Sequence, residues 1–177
     1  MIRDSLRALL LAHVPADGTE ARHRERMLEL VLAPRPFDRE SFHPGHFTAS
    51  AFVLSPERDA LLLILHAKLG LWLQPGGHVE PGDPSMEVAA RREVAEETGL
   101  TALAPDTRIL DVDVHRIPSR KADPGHEHFD VRFLLRATTL DHAASGEVHG
   151  SRWVKLTELA AVTGDESVLR AARKLAP

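Results

Sequence analysis

The stretch REVAEETGL, Arg92–Leu100, decides how this chain is interpreted. It lies at the end of a helix predicted from about Pro84 to Thr98. Asp83 is the expected N-cap of that helix, because a carboxylate there can accept hydrogen bonds from the first turn. Gly99 suits the position just past the end, where the backbone often turns left-handed.

The predicted helix carries three glutamates on the side that it should bury. At about 100° per residue, Glu96, Glu97 and an apolar set all fall within about 60° of Glu93. That set is Met86, Ala89, Ala90 and Leu100. An amphipathic helix ordinarily places its carboxylates opposite its apolar side. The spacing i, i+3, i+4 also brings the carboxylates together, where partly shielded like charges repel by roughly 1 kcal/mol per pair.

A divalent cation would remove this repulsion. Mg²⁺ takes oxygen ligands and commonly uses a few carboxylates together with water and substrate phosphates. Acidic clusters on helices are otherwise often solvated faces. The adjacent Gly76 and Gly77 in QPGGHVEPGD favour the metal site, since glycines allow backbone groups to approach a metal or a phosphate closely.

Together, GGHVEPGDPSMEVAARREVAEETGL resembles the Nudix box, G-x5-E-x7-R-E-U-x-E-E-x-G-U, in which U is a bulky aliphatic residue. The match is complete from Arg92 to Leu100. It departs upstream, where Asp83 replaces the box glutamate and eight residues instead of seven separate it from Arg92. We expect the loop before the helix to absorb the extra residue, and we do not count on an Asp83–Arg92 pair.

The resemblance implies an α/β fold, the Nudix-type α/β/α sandwich with a mixed sheet, plus an N-terminal helical appendage. We predict the appendage over residues 1–40 and the Nudix hydrolase domain over 41–177. The order of the predicted elements agrees with this fold. These elements are helices over 2–14 and 19–33, strands over 47–55, 60–68, 107–117, 128–137 and 151–156, and helices over 157–162 and 165–176. The glycine-rich segment over 69–84 is expected to be a loop with at most a short strand near Trp72.

The resemblance also implies hydrolysis of a diphosphate linkage in a nucleoside diphosphate joined to another group. Glu93, Glu96 and Glu97, with the carbonyl of Gly76, would hold Mg²⁺, or Mn²⁺ as the alternative. Arg92 would orient the glutamates. Glu93 is the first choice for the general base.

Other residues are candidates of lower rank for catalysis and binding. Glu127 or Glu147 could act as the base instead of Glu93. For substrate binding we select Lys68, at the end of a strand, and His126 and His128. These histidines share one strand face with Asp130 and Arg132, opposite Phe129 and Val131. That face could contact substrate or metal, or it could simply be hydrogen-bonded beneath a helix.

Three further sets of residues are weaker candidates. Arg120 and Lys121 are better explained as part of a solvated loop, and Trp72 as a core residue. We treat His43 and His46 as too isolated to indicate a metal site.

Composition limits the class of protein. The 177 residues contain no cysteine, and the formal charge is −4, with acidic and basic residues mixed along the chain. The charge balance does not favour a nucleic-acid partner or an anionic membrane. The first apolar run is too short to span a bilayer, so we expect a cytoplasmic protein. The N-terminal helices could mediate a homodimer or act as a lid.

Two other classes of function compete with the hydrolase. A Nudix-like module could bind a nucleotide as a regulator without cleaving it, but such modules often lack catalytic glutamates. An isopentenyl-diphosphate isomerase-like activity relies on a cysteine in the commonest enzymes of that type, and this chain has none.

Overall fold

A computed structural model describes residues 1–104, 107–120, 123–146 and 148–175. Its helices are α1 Ile2–Ala12, α2 Gly18–Leu30, α3 Met86–Thr98, α4 Leu159–Val162 and α5 Glu166–Ala172. Its strands are β1 Gly45–Leu54, β2 Ala60–Leu65, β3 Trp72–Leu73, β4 Gly76–His78, β5 Arg108–Ile117, β6 His126–Arg136 and β7 Ser151–Lys155. Short 3₁₀ turns cover Leu156–Glu158 and Arg173–Leu175.

The strands form one mixed sheet in the order β3-β2-β1-β6-β5, with β4 paired to β1 and β7 paired to β2. The central pair, β1 and β6, is parallel and in register from Gly45↔Glu127 to Leu54↔Arg136. The other pairs are antiparallel. The pairing of β4 corrects one expectation, because Gly76–His78 form a strand against β1 instead of a loop.

Helices cover both faces of the sheet. One face packs against α1, α2 and α3 through a core that includes Leu6, Met27, Phe47, Met86 and Val131. The opposite face packs against α4 and α5 through Phe52, Leu61, Leu159 and Val168. This arrangement is the predicted α/β/α sandwich with an N-terminal helix pair, and the fold prediction is confirmed. Within the described residues, no helix combines the length and apolarity needed to cross a membrane.

The starts of two helices differ from prediction. Helix α3 begins at Met86, and its N-cap is Ser85, whose hydroxyl accepts a hydrogen bond from the Val88 N–H at 3.2 Å. Asp83, the predicted cap, is occupied elsewhere, and the extra residue is absorbed before the helix as expected. Helix α2 begins at Gly18, one residue before its predicted start, and is capped by Asp17. The predicted end of α3 is confirmed, since Gly99 has a left-handed φ of 64°.

A buried ionic network fills the polar part of the second face. The guanidinium of Arg132, 3% exposed, donates to Asp130, Asp111 and Asp113 at 3.0–3.2 Å. It also donates to the Ser167 carbonyl at 3.1 Å, near the start of α5. Asp130 and Arg132 are therefore hydrogen-bonded beneath a helix, which was one of the two alternatives for this strand face.

Candidate active site on helix α3 and strand β4

The glutamates of α3 meet the glycines of β4. Gly77 lies against Glu93, and a Cβ at position 77 would stand 2.6 Å from the Glu93 carboxyl carbon. The peptide N–H of Gly76 donates to Glu97 Oε2 at 3.0 Å. The sheet brings these groups together because β4 pairs with β1, and α3 packs across β1. Only residues without a side chain permit this approach.

The three glutamates differ in exposure. Glu97 is 9% exposed, and the side chain of Glu93 is 13% exposed. The side chain of Glu96 is 45% exposed, so it lies at the edge of the cluster and not on the buried face. Val94 and Thr98 are also buried, which shows that the buried side of the helix is rotated away from Glu96. Two carboxylates are therefore held in place and the third faces solvent.

Arg92 joins the parts of this site. Its guanidinium donates to Glu93 at 3.0 Å, to Glu96 at 2.8 Å and to the carbonyl of His78 at 2.8 Å. It also donates to both oxygens of Asp83, at 3.0 and 3.2 Å. The Asp83–Arg92 pair, which we did not count on, is formed because the loop before α3 folds back on the helix.

Charge reinforces the arrangement. The hydrogen bond to Asp83, together with the charge of Glu93, raises the pKa of Arg92. Burial opposes ionisation of Asp83, but hydrogen bonds from Arg92 and from the Glu80 N–H prevail and lower the pKa of Asp83. Arg92 is thus a fixed cation that partly offsets the repulsion between neighbouring carboxylates.

The structure brings only some of the residues predicted to bind substrate near one another. His126 and His128 are in ring contact at 5.1 Å and are joined by His46 and His78. Lys68 is exposed in the turn after β2. Burial, followed by the neighbouring His46, lowers the pKa of His128 to about 2. Burial and His46 likewise lower the pKa of His78 to about 4.

The expectation that His46 is isolated is wrong. Its ring lies 5.1 Å from His78 and 4.9 Å from His128, because β1 pairs with both β4 and β6. The alternation of His46, Thr48 and Ser50 along β1 matches that of His128, Asp130 and Arg132, and this shared period was the available signal. The pairing of β1 with β6, however, could not be predicted from the sequence.

The remaining candidates lie elsewhere. Glu127 forms a two-point ion pair with Arg26 of α2, with N–O distances of 2.5 and 3.2 Å. The guanidinium of Arg152 lies 4.2 Å from the centre of the half-buried Trp72 ring. Arg120 is exposed. Lys121 and Glu147 lie outside the described residues.

A cavity of about 690 Å³ opens beside the site. His78, Val79 and Glu80 form one wall, and residues 34–39, together with Arg3, form the other. Three of the lining residues are arginines, namely Arg3, Arg35 and Arg39. These arginines were not predicted from the sequence, because they precede the box and reach it only through the packing of the N-terminal segment.

Comparison with known proteins gives the family. The family model of the NUDIX domain matches residues 44–173. A Bacillus subtilis (strain 168) protein named "Putative 8-oxo-dGTP diphosphatase" is 46% identical over 57 residues, which are 32% of this chain and 38% of that protein. A Lactococcus lactis subsp. cremoris (strain MG1363) protein named "Probable DHNTP pyrophosphohydrolase" is 31% identical over 121 residues, 65% of this chain and 70% of that protein. The chain therefore spans well under half of the first relative and about two thirds of the second.

Solved structures show the same fold. The NUDIX domain of Shewanella oneidensis NrtR, complexed with ADP ribose, superposes with a TM-score of 0.58 at 20% identity, over 85% of this chain and 95% of that one. The E. coli dihydroneopterin triphosphate pyrophosphohydrolase superposes with a TM-score of 0.57 at 20% identity, over 72% of this chain and 92% of that one. With the family match and the named relatives, these likenesses confirm the predicted membership: the chain belongs to the NUDIX family and is a homologue of its pyrophosphohydrolases.

Proposed function

We propose that this chain hydrolyses a diphosphate linkage in a nucleoside diphosphate joined to another group, with Mg²⁺ as cofactor. The observation that carries the proposal is the junction of α3 and β4. There, Glu93 and Glu97 are held against Gly77 and Gly76, while Arg92 fixes Glu93 from the other side.

The donors at this junction fit a hard divalent cation. Glu93, Glu96 and Glu97 supply carboxylate oxygens within one helical turn, and the Gly76 carbonyl is the proposed fourth ligand. Mn²⁺ is the alternative ion. When bound, the cation would neutralise phosphate charge and lower the pKa of the attacking water.

The chain's own residues have separate roles in this proposal. Arg92 orients Glu93 and Glu96, and Asp83 anchors Arg92 from behind. Glu93 is our first choice for taking the proton from the attacking water, because it is held next to Gly77 and largely shielded from solvent. Glu127 is a poorer candidate for the base, since Arg26 already occupies both of its carboxylate oxygens.

The cavity beside His78 is the proposed entry for the substrate. Its volume lies within the range usual for small-molecule sites. The exposed Arg39 suits phosphate, since Arg3 and Arg35 are already engaged in hydrogen bonds. We propose that Lys68, His126 and His128 add contacts to the rest of the nucleotide. On this proposal, residues 1–40 are an appendage that completes the cavity of the domain over 41–177. A homodimer and a cytoplasmic location stay predictions.

The test is a panel of substrates incubated with Mg²⁺. It includes nucleoside triphosphates, 8-oxo-dGTP, dihydroneopterin triphosphate, nucleotide sugars, ADP-ribose and dinucleoside polyphosphates, with products separated by chromatography. We expect turnover of at least one member, loss of turnover with a chelator, and recovery when Mg²⁺ is restored. Nucleotide binding without turnover across the panel would contradict the hydrolase and favour the regulatory binding module.

A further inference from the structure

Three histidines from three adjacent strands converge on the sheet face opposite α3. His78 of β4 lies across from Thr48 of β1, and His46 of β1 lies across from His128 of β6. Because residues two apart on a strand share a face, all three imidazoles project from the same side. Each offers one ring nitrogen, and these three nitrogens lie within 4.8 Å of one another.

His46 has the features of a metal ligand. It is 1% exposed, and its Nδ1 lies 3.1 Å from the Ser41 carbonyl, which can only accept a hydrogen bond. Nδ1 therefore carries the proton, and Nε2 keeps its lone pair. That Nε2 is buried and has no hydrogen-bond partner in the described structure. A ligating histidine typically donates its other ring N–H to a backbone carbonyl in this way.

An unpartnered buried acceptor among other imidazoles needs an explanation. Neutral imidazoles can offer lone pairs to one cation, whereas protonated ones would repel each other. The centres of the three rings lie 4.9–5.3 Å apart.

We propose that His46, His78 and His128 form a second metal site, which binds a divalent transition-metal cation of the zinc type. Imidazole ligands suit Zn²⁺, Co²⁺, Ni²⁺ and Cu²⁺, whereas Mg²⁺ prefers oxygen. Tetrahedral Zn–N bonds of ~2.1 Å place ligand nitrogens ~3.4 Å apart, so small side-chain rotations from the present separation bring them into range. Three protein ligands leave a fourth position for water or another group.

The site has both an entry path and a link to the acidic cluster. His78 lines the cavity of about 690 Å³, so a cation can reach it from solvent. The carbonyl of the same residue accepts a hydrogen bond from Arg92, and its chain neighbour Gly77 touches Glu93. The histidine site and the glutamate site are thus separate in chemistry and joined through β4.

The test is a titration of the full chain with Co²⁺ in the presence of excess Mg²⁺, followed by visible ligand-field absorption. We expect one equivalent of Co²⁺ to give nitrogen-ligand bands that Zn²⁺ displaces. His78→Asn and His128→Asn should each weaken binding by about 10-fold or more. Both side chains are partly exposed, so these variants should fold, which circular dichroism can verify.

Two controls separate this proposal from the proposed function. His142→Asn removes a partly exposed histidine outside the triad and should leave the bands unchanged. Glu97→Gln removes an oxygen donor from the Mg²⁺ site and should also leave them unchanged. The proposal is wrong if the wild-type chain gives no bands, or if the bands persist in His78→Asn and His128→Asn. A chain that shows the cobalt bands without hydrolase turnover would contradict only the proposed function.

Discussion

Gly77 lies so close to Glu93 that a β-carbon at position 77 would stand 2.6 Å from both the carboxyl carbon and Oε1 of Glu93. The glycine is therefore a requirement of the acidic cluster and not merely a turn residue. The same contact links the two halves of the motif, since one residue lies on β4 and the other on α3.

Gly77→Ala should displace the Glu93 carboxylate. We expect turnover to fall by about 100-fold, the size of effect that follows a displacement of roughly 1 Å in a catalytic group. Initial rates on the best substrate measure this. Gly82→Ala is the matched control, because a Cβ there meets nothing within 4 Å and its rate should match the wild type. Equal rates for the two variants would contradict the required close approach.

Asp83→Asn should release Arg92 from its anchor. The Asp83 side chain is 6% exposed, and removing its charge leaves a guanidinium without its principal partner. We expect a loss of about 2 kcal/mol in the free energy of unfolding and a several-fold rise in the Mg²⁺ needed for half-maximal rate. Urea unfolding and a Mg²⁺ titration measure the two effects. Asp83→Glu keeps the charge and restores the residue type of the family pattern. If its unfolding free energy and its Mg²⁺ requirement matched those of Asp83→Asn, the anchoring role would be contradicted.

Arg132→Leu should remove the centre of the buried ionic network. Asp130 would lose a cationic partner, and Asp111 and Asp113 would keep only their ion pairs with other residues. One-sided removal of a buried charge typically costs about 3–5 kcal/mol. Urea unfolding at neutral pH measures the loss. Arg108→Leu changes an exposed arginine of β5 and should cost far less. A loss below about 1 kcal/mol in Arg132→Leu would contradict the stabilising role of the network.

Glu20 should make the stability depend on pH. Burial opposes its ionisation, but hydrogen bonds from His13, the Ala16 N–H and Lys174 prevail and lower its pKa from 4.5 to about 2. The folded state therefore favours the ionised form. This contribution is complete above about pH 4.5 and is lost as the pH falls to about 2.

Glu20→Gln should consequently reduce stability at neutral pH, by on the order of 2 kcal/mol, and flatten the acid limb of the stability curve. Unfolding free energies across this range measure the slope. Glu25→Gln, an exposed change on the same helix, should leave the slope as it is. Identical slopes for Glu20→Gln and the wild type would show that Glu20 is not linked to folding.

The parts that could be predicted from the sequence were those that local pattern determines. The alternation in β6 gave its two faces, and the order of residues from Arg92 to Leu100 gave the acidic helix with its terminal Gly99. Local propensity was less reliable at Asp83. It is a good capping residue by type, but Arg92 and the Glu80 N–H bind its carboxylate, so Ser85 caps the helix.

The features that could not be predicted from the sequence depend on pairings between distant segments of the chain. His46 and His128 become neighbours only because β1 and β6 pair in parallel, and no local pattern reports that register. Glu20 resembled any acidic residue of a surface helix, yet it is fully buried against Lys174 from the other end of the chain. Arg3 and Arg39 reach the cavity for the same reason.

The most direct test of the central claim compares two glutamates of one helix. Glu97→Gln changes a buried carboxylate of the cluster. Glu87→Gln changes a carboxylate in the first turn of α3, which lies outside the cluster and pairs with Arg91. Initial rates at saturating Mg²⁺ should fall by about 100-fold or more in Glu97→Gln and stay near wild type in Glu87→Gln. Turnover by Glu97→Gln at the wild-type rate would contradict an acidic metal site on α3.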